Sequence, residues 1–245
     1  MNNIFGNTLN ELEEYFLNIG EKKYKAVQVY DWLYRKNVYD FNEFSNIKKS
    51  IIERLNSDFS NEFIKIEKVL EGTDVKKFLF RLLDGEKIEA VLMEHNYGLS
   101  VCVSSQVGCN MGCRFCESGR LKKVRNLEAY EIVEQILLIE KYIDKRIDSV
   151  VVMGIGEPMD NFDNIVKFIS IINDAHGLAI GARHITVSTC GLVPKIYEFS
   201  NLNLQVNLAI SLHAPTDEIR NSIMPVNKVY SIEVLIEAIR DYIAK

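Results

Sequence analysis

What the chain lacks narrows its class first. Nowhere in its 245 residues is there a run approaching the roughly 18 apolar residues of a membrane-spanning helix. The start, Met-Asn-Asn-Ile-Phe, has neither the basic region nor the apolar stretch of a secretory signal, so the chain is expected in the cytoplasm, away from membranes. A positive excess is missing too: 29 Lys and Arg stand against 34 Asp and Glu, a formal net charge of −5. That balance argues against a nucleic-acid-coating protein, while a local basic patch could still meet a phosphate backbone. Cysteine is scarce and odd in number, five in all. With three of them packed into one short segment, they make a poor disulfide framework and a plausible metal site in a reducing compartment. The apolar fraction of 47% and charged fraction of 26% exclude disordered and collagen-like classes. The length allows one large α/β domain, or a core with a small accessory domain.

The first sixty residues read as short amphipathic helices. Thr8 and Glu11 form a capping box, and Leu9, Leu12, Phe16 and Ile19 follow at helical spacing until Gly20. A second helix is predicted over about 24–36 and a third over about 46–55, with Ile47, Ile51 and Leu55 on one face. From Phe63 to Glu94 the period changes to two, and Asp84-Gly85 marks a hairpin turn between 77–83 and 87–93. Beyond Leu99, apolar strands at about 100–107, 149–154, 184–189 and 204–212 alternate with helices at about 127–142, 164–175, 193–199 and 232–243. This βα repetition predicts a parallel sheet with functional residues at the carboxyl ends of its strands. The expected division is a helical accessory domain over 1–60, a β-hairpin linker over 61–97 and a βα domain over 98–245.

The central signal is Cys109-Asn-Met-Gly-Cys113-Arg-Phe-Cys116, placed just after the first strand of the βα region. Three thiolates at this spacing can wrap an iron–sulfur cluster from one loop, and Gly108 and Gly112 let the backbone turn closely around it. Three buried thiols or a zinc site are the alternatives. Structural zinc takes four protein ligands, and no fourth Cys or His stands at a finger-like distance. The motif resembles that of the radical S-adenosylmethionine (SAM) superfamily, whose 4Fe–4S cluster leaves one iron open for the amino and carboxylate groups of SAM. The resemblance implies a partial (β/α) barrel and reductive cleavage of SAM to a 5′-deoxyadenosyl radical.

Other strand ends extend the resemblance. Gly154-Ile-Gly156-Glu157-Pro158 alone reads as a tight turn. Its position after the cysteines is similar to the superfamily segment whose backbone meets the SAM amino group. Ser188 closes the third strand, and Ser211, Leu212 and His213 close the fourth. Polar groups there suit a ribose or carboxylate, although His213 alone would more often be structural.

Longer stretches make the resemblance specific. Cys102-Val-Ser-Ser-Gln-Val-Gly-Cys109, Arg125-Asn126-Leu127, Met153 to Pro158, Arg183 to Thr189, Leu208 to Pro215 and Tyr24 to Tyr34 resemble the RlmN/Cfr family of RNA adenine methyltransferases. The resemblance implies a proton acceptor at Glu89 and, at Cys102, a thiol that resolves a covalent protein–RNA adduct. By themselves these would read as an exposed strand carboxylate and a buried strand cysteine. It also implies SAM and an external electron donor, with 23S ribosomal RNA and some transfer RNAs as partners. The segment Leu208 to Arg220 is more similar to the adenine C2 group than to the C8 group.

Departures from the pattern set further expectations. The family carries more βα units than are visible here, and its methyl-carrying cysteine lies beyond them; Cys190 does not match that position and is expected to pack. The chain is therefore expected to be truncated, binding a cluster without completing methyl transfer by itself. A SAM- or RNA-binding remnant, a Cfr-like C8 enzyme and a protein-modifying radical enzyme are the competing readings. For phosphate contacts the sequence offers Lys122, Lys123 and Arg125 beside the cysteine loop, and Lys22, Lys23, Lys25, Lys48 and Lys49 in the helical unit. A target adenine would have to leave its stack to reach a barrel interior.

Overall fold

The computed structural model describes residues 2–202 and 204–245. Its helical unit contains β1 (Asn2–Asn3), α1 (Leu9–Asn18), α2 (Tyr24–Tyr30), α3 (Lys49–Asp58) and β2 (Phe59–Ser60). Parallel pairing of β1 with β2 closes it. The capping box is present: Glu11 N–H donates to Thr8 Oγ1 at 3.3 Å, and Thr8 N–H donates to Glu11 Oε2 at 2.7 Å. The second helix is shorter than predicted, because a π turn over Asp31–Arg35 takes over after Tyr30. The third starts later than predicted, since Lys48 is extended, with ψ 143°. Ile47 just before it and Ile52 in its first turn are both buried, as in a hydrophobic staple.

Four strands follow in an antiparallel meander: β3 (Lys65–Glu71), β4 (Val75–Arg81), β5 (Lys87–His95) and β6 (Gly98–Cys102). Next come β7 (Gln106–Val107) and β8 (Arg125–Asn126), which pair with each other, then α4 (Ala129–Ile143), β9 (Ser149–Val152), α5 (Phe162–Asn173), β10 (Ile185–Thr189), α6 (Val193–Ser200), β11 (Asn207–Ile210), α7 (Asp217–Ile223) and α8 (Ile232–Ala244). One seven-stranded sheet runs in the order β11-β10-β9-β6-β5-β4-β3. Its last four strands in the chain, β6, β9, β10 and β11, are parallel neighbours, as the βα repetition predicts. The stretch read as a hairpin linker supplies three strands of this same sheet, because β5 pairs with β6 from Val91–Cys102 to His95–Gly98. Strand β3 falls within the period-two stretch read from Phe63, but its burial is slight on both faces.

The two faces of the sheet differ. Ile88, Ala90, Leu92, Val101, Val150, Val152, Ile185 and Val187 are buried in the main apolar core with Ile132, Ile136 and Leu137 of α4 and Phe168 and Ile172 of α5. Strand alternation sends Glu89, Val91, Cys102, Val151, Thr186 and Ser188 to the other face, which is only half buried. Helix α4 carries buried polar groups that serve as clamps. Glu134 accepts from Ile64 N–H at 2.9 Å and from Asn3 Nδ2 at 3.1 Å, tying the helical unit to the βα region. Gln135 accepts from Ser104 N–H at 2.9 Å and donates to Ser104 O at 3.1 Å, fixing the chain where it leaves β6.

Candidate active site

Strands β6, β9 and β11 end before the apolar runs predicted for them, β10 ends at Thr189 as predicted, and residues following these strands turn into a common cavity. This cavity, of 260 Å³, is lined by Cys109, Cys113 and Cys116 on one side and by Gly156, Glu157, Ser188, Ser211 and His213 on the other. Eight of the nine cluster- and cofactor-site residues proposed from the sequence thus share one space. Leu212 is the exception, being exposed with its carbonyl turned to Arg220 Nε at 3.1 Å. Glu89 and Cys102 do not line the cavity. They lie beside it on the open face of the sheet, on β5 and β6.

The cysteine loop is closed at its base by β7 and β8 and by Cys109 N–H donating to Leu121 O at 3.0 Å. Gly108 has φ +74°, and a Cβ there would stand 2.2 Å from Lys122 O, so only glycine lets the two loop arms approach. Inside the loop, Cys116 N–H donates to Cys113 O at 3.2 Å, and a 3₁₀ turn follows over Glu117–Arg120. Burial and the neighbouring Cys109 and Cys116 push the Cys113 thiol up to about 11. Burial also raises Cys109.

Opposite the loop, the Gly154–Gly156 turn is stitched to the segment after β6. Gly154 N–H donates to Val103 O at 3.0 Å, and Ser105 and Gln106 N–H groups donate to Ile155 O at 2.9 and 3.1 Å. Gly156 has φ +111°, and a Cβ on it would come within 2.6 Å of Gln106 Cβ. Gln106, fully buried, accepts from Glu157 N–H at 2.9 Å and donates to Asn126 Oδ1 at 2.8 Å and Asp160 Oδ2 at 2.9 Å. The Glu157 carboxylate turns inward: Oε2 accepts from Cys190 N–H at 2.8 Å and Oε1 from Met159 N–H at 3.1 Å. It therefore locks the ends of β9 and β10 together, and burial raises its pKa against the pull of those donors.

Cys190, expected to pack, is buried against Met224 and Val226 and also lines the cavity, where burial and Glu157 raise its thiol far above the ordinary range. Sequence reading passed over Gln106, Cys190 and Arg220 as parts of the site. Gln106 and Arg220 lie in stretches that carry the family resemblance without a role of their own, and Cys190 was expected only to pack.

Cys102 stands opposite Val91 and Val151 in the sheet register. Burial raises its thiol, with the Met153 backbone N–H pulling the other way. Glu89 pairs with Lys77, Nζ to Oε2 at 2.8 Å, and its carbonyl accepts from Ser104 Oγ at 2.6 Å. Ser104 Oγ in turn accepts from Ile155 N–H at 2.9 Å, so two hydrogen bonds join the Glu89 backbone to the cavity wall.

Most of the basic residues proposed for phosphate contact are engaged. Lys123 pairs with Asp160 at 2.7 Å, Arg125 with Glu131 and Asp84 at 2.7 Å each, Lys23 with Glu13 at 3.1 Å and Lys48 with Glu21 at 3.9 Å. Lys25 is buried and donates to Gln28. Among the described residues, Lys22, Lys49 and Lys122 are exposed and outside any ion pair.

The donor set suits a cluster better than a single ion. Among the described residues, no three Cys, His, Asp or Glu side chains stand close enough together to hold one metal ion. A four-iron cube takes its thiolates at separate corners, and Cys109, Cys113 and Cys116 on one loop beside the cavity would supply three of them.

Comparison with known proteins agrees with this geometry. Residues 103–245 match the radical SAM superfamily, and residues 2–60 match the ribosomal RNA large subunit methyltransferase N-terminal domain. A probable dual-specificity RNA methyltransferase RlmN of Listeria welshimeri is 55% identical over 99% of this chain and 68% of its own length. The Spiroplasma citri protein of the same description is 54% identical over 99% of this chain and 72% of its own. The crystal structure of a radical SAM methyltransferase from Sphaerobacter thermophilus superposes with a TM-score of 0.92 at 36% identity, covering 100% of this chain and 73% of that one.

Proposed function

This chain belongs to the RlmN family of radical SAM RNA methyltransferases, and from that premise we propose that its cavity serves the methylation of adenine C2 in 23S ribosomal RNA and in some transfer RNAs. The observation that carries the reading is the convergence of Cys109, Cys113 and Cys116 with the ends of three parallel strands, β9, β10 and β11, on one cavity. The three thiolates would hold a 4Fe–4S cluster, and the Gly154–Gly156 backbone, Ser188, Ser211 and His213 would bind SAM. When bound, the cluster supplies the electron that opens SAM to radical chemistry.

The rest is work for the chain's own residues. The two-sided cavity fixes the cofactor's orientation, and the apolar side chains of Met111, Phe115, Val152 and Met224 around it limit water. The open face next to it offers an extruded adenine a carboxylate at Glu89 to take a proton, and a thiol at Cys102 to release the product. Of the basic residues named from the sequence, Lys22, Lys49 and Lys122 are the ones free to meet RNA phosphate. An electron donor has to reach the exposed cysteine loop from outside.

Two measurements test the proposal. Anaerobically reconstituted protein with a reductant should convert SAM to 5′-deoxyadenosine, and substitution of any of the three loop cysteines should stop it. Nucleoside mass spectrometry of 23S and transfer RNA from the source cells, with the gene intact or deleted, should show 2-methyladenosine lost on deletion. Loss of 8-methyladenosine instead would sink the C2 assignment.

A further inference from the structure

Arg220, on α7, is the largest fully buried side chain in the described residues. A guanidinium inside a protein is costly unless its donors are matched, and a side chain needed only for packing would be apolar. No carboxylate touches it. Nη2 donates to Cys190 O at 2.6 Å and to Ser211 O at 3.3 Å, Nε donates to Leu212 O at 3.1 Å, and Nη1 donates to Asn227 Oδ1 at 2.6 Å. Asn227 Nδ2 donates to Asp217 Oδ1 at 2.7 Å, so this acid acts on the guanidinium through an amide. The fork thus gathers backbone carbonyls from the ends of two strands, β10 and β11, both of which contribute to the cavity wall.

What it gathers includes a strained turn. His213 has φ +55°, a left-handed conformation uncommon outside glycine. It is the central residue of the second of two consecutive narrow turns, with Leu212 N–H donating to Ile210 O at 3.0 Å and Ala214 N–H to Leu212 O at 2.8 Å. Such a residue persists only where its surroundings over-determine it. The turn sends the His213 ring against Phe115, centroids 4.4 Å apart, and Phe115 lies between Cys113 and Cys116. The far end of α7 reaches the same loop: Ile223 O accepts from Arg114 N–H at 2.9 Å, and Met224 is buried beside Met111, Cys113 and Cys190.

We propose that Arg220 is a positioning residue that couples the cysteine loop to the SAM-binding wall, by holding the Ser211–His213 turn in register with Phe115. The assignment rests on the reading of the cavity as a cluster-plus-SAM site. Arg220 does not line the cavity; it acts through the backbone it holds. A lysine in its place would keep the charge but could not span three carbonyls.

The test compares wild-type chain with Arg220→Met and Arg220→Lys, all reconstituted anaerobically. Four quantities are read: iron per chain, thermal midpoint, SAM affinity by equilibrium dialysis, and the change that SAM produces in the electron paramagnetic resonance spectrum of the reduced cluster. Both variants should keep wild-type iron, bind SAM about tenfold more weakly or worse, and show an altered SAM response, the loss expected when buried backbone acceptors lose their donors. A purely structural role would lower the midpoint and leave affinity and spectrum of the folded protein unchanged. Wild-type affinity in folded Arg220→Met overturns the assignment, and Arg220→Lys, which keeps a buried cation and most of the stem, decides it where the methionine variant does not fold. A wild-type chain with no cluster signal, or none that responds to SAM, overturns the cofactor reading beneath it instead.

Discussion

Lys77 reaches diagonally from β4 to Glu89 on β5, its Nζ 2.8 Å from Oε2, on the open face of the sheet. Both side chains are more than two-fifths exposed, so the pair should contribute no more than about 1 kcal/mol to stability. Its value lies in where it holds the carboxylate. Glu89→Gln is expected to lower RNA methylation by about 10²–10⁴-fold, the range for loss of a general base, with a wild-type melting temperature. Lys77→Met should have a smaller effect in the same direction. Complementation in cells deleted for the gene, read by nucleoside mass spectrometry, measures both; full methylation by Glu89→Gln would remove Glu89 from the mechanism.

Cys113 is only half buried and lies on a loop outside the main core. Cys113→Ala should therefore abolish the iron–sulfur absorbance while moving the stability of the cluster-free protein by less than about 1 kcal/mol. A variant that retains iron and its spectrum would place the cluster elsewhere.

Gly156 joins two constraints, φ +111° and a Cβ position 2.6 Å from Gln106 Cβ. Gly156→Ala should destabilise by about 1–3 kcal/mol from backbone strain alone, with steric overlap adding to it. SAM binding should weaken more than iron content, since the cysteine loop lies on the opposite wall. Denaturant titration and dialysis separate the two effects, and equal losses of SAM and iron would contradict this.

Burial pushes Glu134 up from 4.5 to about 8, against the pull of its donors Ile64 N–H and Asn3. The folded chain then holds a proton that the unfolded chain releases. Its contribution to stability is full below pH 4.5 and is lost as pH rises through 8. Glu134→Gln should flatten the fall in melting temperature between these limits; a parallel fall in both proteins would show that other groups set the slope.

How much of this could be read in the sequence depended on the length scale of the signal. Helices such as α4 and α8 carry several turns of apolar spacing, and the structure has them within two residues of prediction. Helix α7 spans only seven residues and has no such stripe. The parallel strands were overextended because the apolar run continues past the sheet: Val103 stays buried in the core after β6 ends at Cys102. Residues matched to motifs, from Cys109 to His213, converge in space because strand ends of parallel neighbours must. Glu157 differed in detail: its carboxylate was free to point anywhere on sequence grounds, and unpaired N–H groups at Met159 and Cys190 drew it inward. The basic residues were least legible, since Lys123 and Arg125 are claimed by carboxylates far away in the chain or across the fold, at Asp160 and Asp84.

The continuity of the meander with the parallel strands has a consequence for the order of folding. Strands β3 to β6 pair with sequence neighbours through short turns, so little chain entropy opposes them. Each of β9, β10 and β11 must instead wait for a helical crossover before docking, β9 on the edge that β6 presents, β10 on β9 and β11 on β10. Pulse-labelled hydrogen exchange should accordingly protect β4 and β5 first and β11 last. A cavity walled by the ends of the late strands is then complete only when almost everything else is in place, which makes iron delivery a finishing step in the protein's maturation and leaves its nucleus independent of metal.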